Sequence, residues 1–469
     1  MSVAYPPAVS YFVRRIMGVT TNQYKIEPNG TADGLGAGQI ITFELPTNAL
    51  LDLSSIALVF GAKVQGGTKA RLPNKMDSLI ERYSVEAGGL TVAQGFPGYN
   101  TVKHVKSILG DSVCKSQTHG VSMNHENIPR AFTDVLSEAV DGAEDYSAGD
   151  YFAVTDFLGF LGESSPQVMD CSLLPNLVLK IYLASDAVLT NSAGTALAGT
   201  ATTGFDVAGS GSASYTLNRV HLTCSVYGIM DGNYDRMVES KIVNEGFLEV
   251  PFKNYQTFND GSHSGSSRFN LGCQSLDRLY AVWRPSAYNT QGAPVLMTGM
   301  KQGGTDGAAG DVFVAATSGG SPTVDFGTGF GRPLLEDPQF NGEKWISKYF
   351  NFEQPSGFAT GQFNINGTLY PQWAATPGDW LPLTVEAMNH AENQIKCHAW
   401  WDNHMFINAV RLNLPEADKL RIIAGLDTRS INLSGQYNST GVSAVPLTII
   451  AEYTSCLRVG SGLQISLVI

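Results

Sequence analysis

The side chains that could do chemistry occur in groups, but at spacings that do not suit it. "NHAENQIKCHAWWDNH" (389–404) gathers His390, Cys397, His398 and His404, and "CKSQTHGVSMNHE" (114–126) gathers Cys114, His119 and His125. Zinc sites favour tight pairs such as CxxC or HxxxH, which place two ligands on one turn or helix face. Neither stretch has one, and HExxH is absent. We read them as loop histidines and residues packing around Trp400 and Trp401, with no metal. "GSHSG" (261–265) has His263 where a nucleophile elbow needs serine. No GxxxxGK[ST] loop exists to cradle a phosphate. "GTGFGR" (327–332) is Gly-rich but lacks the strand–turn–helix setting of a dinucleotide site. Glu138, Asp141, Glu144 and Asp145 crowd into "SEAVDGAEDYSAGD" (137–150), which reads as a solvated acidic loop. A glycosidase pair assembled from distant carboxylates stays open. The expectation is no catalytic residue, no cofactor and no enzyme.

The elements that would hold such groups are mostly strands. "GQIITFELP" (38–46) alternates Ile41, Phe43 and Leu45 with polar neighbours, and "SSIALVFGAKV" (54–64) puts Ile56, Leu58 and Phe60 on one face. Period 2 with β-branched and aromatic residues marks strands. "RYSVEAGGLTVAQG" (82–95) reads as a hairpin turning at Gly88-Gly89. "PNLVLKIYLAS" (175–185), "YTLNRVHLTCSVYGIM" (215–230), "KYFNFEQ" (348–354), "GQFNINGTLYPQW" (361–373), "MFINAVRLNL" (405–414) and "VPLTIIAEYTSCLRV" (445–459) continue the pattern. "GYNTVKHVKSILGD" (98–111) switches to helical period, with Val102, Val105, Ile108 and Leu109 on one face. A second helix is expected near 383–400. Residues 190–214 and 303–332 are long Gly/Ser/Ala/Thr-rich loops, and residues 1–37 read as an extended arm.

Composition agrees. The chain has 469 residues, 43% hydrophobic, with 50 Gly and 21 Pro but only 15% charged residues. That suits short strands joined by long loops rather than a helical bundle. Net charge is −12, and no Lys/Arg cluster exceeds Arg14-Arg15. Wrapping nucleic acid needs dense cations, so direct or sequence-specific nucleic-acid binding is not expected. The six Cys (114, 171, 224, 273, 397 and 456) are scattered without CxxC spacing and read as reduced, buried thiols. The N-terminus lacks a signal-peptide pattern, and no apolar run is long enough for a spanning helix.

Two short matches suggest that one domain is written twice. "DSLIERYSV" (77–85) resembles "QSLDRLYAV" (274–282), and "HLTCSVYG" (221–228) resembles "YTSCLRVG" (453–460), pairing Cys224 with Cys456. The charged pairs Glu81-Arg82 and Asp277-Arg278 read as structural, bonding locally or to a neighbouring strand. The second copy would carry the extra residues, with 303–332 as the candidate insertion.

The islands "FELP", "LLDLSSIALVFGAKV", "RLPNKMDSLIERYSVEAGGLTV" and "YNTVKHV" resemble the first half of the major capsid proteins of polinton-like viruses and virophages. "QSLDRLYAVWRPSAYN", "FNINGTLYPQW" and "INLSGQYNSTG…PLTIIAEYTSCLRV" are similar to their second half. The resemblance implies an all-β chain of two consecutive eight-stranded jelly-roll sandwiches, a double jelly roll. It implies an arm at 1–37, a first jelly roll at 38–235 and a second at 236–469. It implies a homotrimer of pseudo-hexameric outline, made in the host cell. Such trimers tile an icosahedral virion shell around double-stranded DNA beside neighbouring capsomers, penton and minor capsid proteins and, in some relatives, an internal membrane. Arg14 and Arg15 would be assembly contacts. The rival reading is a β-sandwich carbohydrate-binding protein or glycosidase using Trp373, Trp380, Trp400 and Trp401.

Overall fold

A computed structural model describes residues 19–66, 75–93, 97–110, 152–191, 212–229, 232–284, 348–388, 406–414 and 435–460. Shorter stretches are described within 70–73, 291–346, 420–429 and 462–469.

The first half supplies β1 (Val19–Ile26), β2 (Ile40–Glu44), β3 (Ala57–Gly66), β4 (Ile80–Ala87), β5 (Leu90–Ala93), β6 (Phe152–Val154), β7 (Leu177–Leu183) and β8 (Ala213–Ile229). All pairings are antiparallel. One sheet runs β1-β8-β3-β6 and the other β2-β7-β4-β5. The second half supplies β9 (Phe247–His263), β10 (Ser266–Phe269), β11 (Leu276–Trp283), β12 (Thr360–Ile365), β13 (Thr368–Ala375), β14 (Ile407–Arg411), β15 (Gly435–Thr440) and β16 (Val445–Gly460). Its sheets run β9-β16-β11-β14 and β10-β15-β12-β13. Adding eight to each strand number converts the first pair of sheets into the second. Each half is an eight-stranded jelly roll, and the chain is a double jelly roll.

Alternation builds the cores. Ile41, Phe43, Leu58, Phe60, Leu177, Leu179 and Ile181 are all buried inside the first sandwich. The β4–β5 hairpin turns on Gly88 and Gly89, both at positive φ. A side chain at Gly88 would strike the Pro175 ring, 2.6 Å from where its Cβ would stand. β12 and β13 turn on Asn366-Gly367, also at positive φ, as a two-residue hairpin requires. Helix α1 (Tyr99–Gly110) buries Val102 and Val105. Helix α2 (Gly232–Glu245) joins the halves, and α3 (Pro377–Met388) ends where residues 389–405, outside the described set, begin.

Three expectations change. Residues 19–26, read with the arm, form β1 and pair with all of 222–229 on β8. The arm reading missed β1 because both its faces are exposed, so it has no apolar alternation. "KYFNFEQ" is a 3-10 turn at Lys348–Phe350 rather than a strand. Phe350 and Phe352 are buried against the His104 ring of α1, which gives strand-like alternation without a ladder. The two "Ser-Leu-acid-Arg" stretches are not equivalent: the first leads into β4, the fourth strand, and the second into β11, the third strand of its sandwich. Cys224 and Cys456 do lie on equivalent strands, since β8 and β16 are both eighth strands. Their faces differ, however: Cys224 alternates into the core with Leu222 and Val226, while Cys456 shares the outer face with Glu452 and Thr454.

The strand ends that the long segments join lie at one end. In this topology the 1–2, 3–4, 5–6 and 7–8 connections of each sandwich share an end. Residues 94–151, 184–212, 284–359 and 376–406 are all such connections. The insertion in the second copy lies in 284–359, against 67–79 in the first. The start of β1, helix α2 and the end of β16 lie at the opposite end.

Candidate functional site

The densest chemistry is a buried charge network where the two sandwiches meet. The sequence element behind it is a bulge in β11. Leu276 faces Tyr453 and Arg278 faces Glu452 on β16, so Asp277 is an extra residue. A bulge lets two consecutive side chains leave the same face of a strand. Asp277 thereby reaches Lys253 on β9 at 2.7 Å and accepts from Thr454 at 2.6 Å and Ser275 at 2.8 Å. Arg278 reaches Glu452 at 2.7 Å and donates to the Ala387 carbonyl of α3 at 2.6 Å.

The first sandwich completes the network. Lys106 of α1 sits 2.8 Å from Glu163 and 3.6 Å from Glu452, and also bonds the Tyr255 hydroxyl. Tyr255 donates to Glu163 at 2.6 Å and Tyr280 to Glu452 at 2.7 Å. Three cations (Lys106, Lys253 and Arg278) meet three carboxylates (Glu163, Asp277 and Glu452). Asp277 and Glu452 are no more than 1% exposed. Burial alone would drive the Glu452 proton on. The fields of Lys106, Arg278 and Lys253, with the Tyr280 hydroxyl, override it and hold the carboxyl well below its ordinary range. Burial would likewise strip Lys106, but Glu163 and Glu452 raise it. Burial pushes the Tyr255 and Tyr280 hydroxyls far up, so they remain donors.

Backbone pairing runs alongside. Residues 163–165, between β6 and β7, lie along the outer edge of β9: Lys253 N–H donates to the Glu163 carbonyl at 3.2 Å and Ser165 N–H to the Pro251 carbonyl at 2.9 Å. Phe160 packs edge-on against Phe252, ring centroids 5.2 Å apart. Apolar rings, a short ladder and a neutralised charge network thus weld the halves into one body.

The candidates from sequence fall elsewhere. His263 bonds Ser267 and Ser439, and Ser267 donates to Asp260, an order that imitates a proton relay. The ring is 0% exposed between Trp283 and Tyr437, with no approach for a substrate. It ties β9, β10 and β15 together. Glu81 accepts from Gly98 N–H and Asn100, and Arg82 stacks 3.8 Å over the Tyr182 ring, so this pair bonds to neighbouring elements. Cys171, Cys224, Cys273 and Cys456 are free and buried, their thiols pushed by burial to about 12 for Cys171 and about 11 for the others. Trp380 is fully buried and cannot stack on a sugar; Trp373 stands exposed. Among the described residues, no three His, Cys, Asp or Glu could hold a metal ion. Arg14, Arg15, Cys114, His119, His125, Glu138, Asp141, Glu144, Asp145, His390, Cys397, His398, Trp400, Trp401, His404 and the 327–332 loop lie outside the described residues. The sequence reading missed the seam. Its signal was legible as Asp277-Arg278 and Glu452, charges inside the mostly apolar strands β11 and β16.

No protein-family model and no curated protein matches the chain. Solved structures do match. A chain of the PBCV-1 virus capsid shares 13% identity at TM-score 0.55, covering 98% of this chain and 99% of that one. The Faustovirus major capsid protein shares 10% at TM-score 0.52, covering 97% and 93%. A chain of the Sputnik virophage shares 10% at TM-score 0.51, covering 100% and 93%. At such identities the likeness is one of fold, and it spans the whole chain, both sandwiches included.

Proposed function

We propose that this chain is the major capsid protein of a virus, a structural protein located in the virion shell. The observation that carries the reading is the pair of topologically identical sandwiches welded by a buried, charge-neutral seam. Such a body gives each copy two equivalent faces for lattice contacts. The end-to-end fold likeness to capsid chains supports it.

In this reading three copies form a trimer of pseudo-hexameric outline, six sandwiches around one axis, and the trimers tile an icosahedral shell around double-stranded DNA. The four long connections gathered at one end build the outward surface, where loops vary freely on a rigid frame. The opposite end, with α2 and the arm, faces inward. There residues 1–18 would touch neighbouring capsomers, minor proteins or an internal membrane, with Arg14 and Arg15 as assembly contacts. The carbohydrate reading loses Trp380 to the core. The expressed chain should have the mass of a trimer in solution and form shells visible by electron microscopy. A monomer under all conditions, with no assembly, would rule the capsid reading out.

A further inference from the structure

The seam inside one chain has a half that the second sandwich repeats. In the first sandwich, the segment between the sixth and seventh strands (155–176) buries Phe157, Phe160 and Leu161 and lays 163–165 on the edge of β9. The corresponding segment of the second sandwich, 412–434, is of nearly the same length. Counting from the strand on either side places Leu420, Ile422 and Ile423 where 163–165 stand. There the chain exposes apolar surface: Ile422 is 47% exposed, Ile423 38% and, nearby, Leu414 60%.

The receiving edge is equally open. β9 is the first strand of its sandwich and β1 is the first of the other. Pro251 and Lys253, which meet 165 and 163, stand four and six residues into β9, so their counterparts are Gln23 and Lys25. Backbone direction agrees. Ser225 N–H points away from β1, to Ser55 Oγ at 2.8 Å, so the odd residues of β8, and the odd residues of β1 opposite them, do not bond each other. Gln23 and Lys25 therefore turn their N–H and C=O to the free edge, where the Gln23 N–H is held by the Asn22 Oδ1 beside it at 2.9 Å, an exposed local bond that a docking strand would replace. Among the described residues no other strand pairs there. β1 carries eight residues without a bulge or proline, exposed on both faces, with Val19 and Tyr24 among the exposed apolar residues. Proteins seldom leave so plain an edge uncovered.

We infer that Leu420, Ile422 and Ile423 of a second copy lie along Gln23–Lys25, repeating between chains the contact that 163–165 makes with β9 within one. The inference rests on the capsid reading and names one contact within it. The contact is head-to-tail, first sandwich to second, and so belongs to a closed ring rather than a two-fold pair. Apolar Ile422 and Ile423 would cover the exposed β1 surface.

Two variants test it in the full-length chain. Gln23→Cys with Ile422→Cys should give disulfide-linked dimers and trimers on a non-reducing gel, above the wild-type background. Ile422→Asp with Ile423→Asp changes only exposed side chains; it should leave the melting temperature unchanged and weaken association at least about tenfold. A double-cysteine chain that stays uncross-linked while still trimeric, or an Asp variant that trimerises like wild type, would overturn this contact and leave the capsid reading intact. A wild-type chain that is always monomeric would overturn both.

Discussion

At the scale of residues, the seam is a case where removing one charge is worse than removing two. Glu452→Ala would leave Arg278 and Lys106 buried with part of their compensation gone, and an unpaired buried charge costs about 3–5 kcal/mol. Pairing the change with Arg278→Met should restore much of that, because well-packed apolar residues replace buried ion pairs at little cost. Urea unfolding of both variants checks this; a loss below ~1 kcal/mol for Glu452→Ala would show the network to be incidental. Acid should act elsewhere. Burial holds His104 and His263 below the ordinary imidazole range, with Asp260 opposing the effect at His263. A group whose folded pKa is lowered contributes stability above its unfolded value, near ~6.5, and that stability is lost as pH falls toward the folded value. Glu452 is also lowered, but from 4.5, so its contribution is intact above that value and begins to be lost only as pH falls through it, below the histidine window. The melting temperature should therefore fall from pH 7 to 5, less so in a His104→Phe variant. A flat profile in wild type would refute the assignment.

At the scale of elements, the strands were legible wherever one face was buried. β2, β3, β7 and β8 stood out because alternation of apolar and polar residues is what a half-buried strand requires. β1 escaped because its stability comes from a backbone ladder to β8, and a ladder leaves no mark on side-chain pattern. The seam escaped for a related reason. β11 and most of β16 are buried on both faces, so they read as apolar runs in which Asp277 and Glu452 look like interruptions, while Lys253 lies in the mixed sequence of β9. The duplication was correctly suspected from partly misleading evidence. "DSLIERYSV" and "QSLDRLYAV" match because a turn entering a strand repeatedly selects a small polar residue, then alternating apolar ones. They occupy the fourth strand of one sandwich and the third of the other. In both the acid is the extra residue of a bulge, Glu81 against Tyr182–Leu183 and Asp277 against Glu452–Tyr453, but only Asp277 and Arg278 serve the seam.

At the scale of the whole molecule, the position of β1 separates two functions that a single arm would merge. A division at residue 37 would join a strand of the first sandwich to the segment before it. Truncation can pull them apart. Deleting residues 2–17 removes Arg14 and Arg15 but leaves β1 on β8. If the segment contacts neighbouring capsomers, that variant should keep the trimer's mass and melting temperature and lose most shells in electron micrographs. Deleting residues 2–26 also removes β1, which uncovers the 222–229 edge of β8 and takes away the proposed docking edge at Gln23–Lys25. That variant should melt lower and sediment as a monomer. Normal shells from the shorter deletion would end the assembly role of Arg14 and Arg15. Trimers from the longer one would show that β1 is not where copies meet, and would move the contact to the sandwich faces.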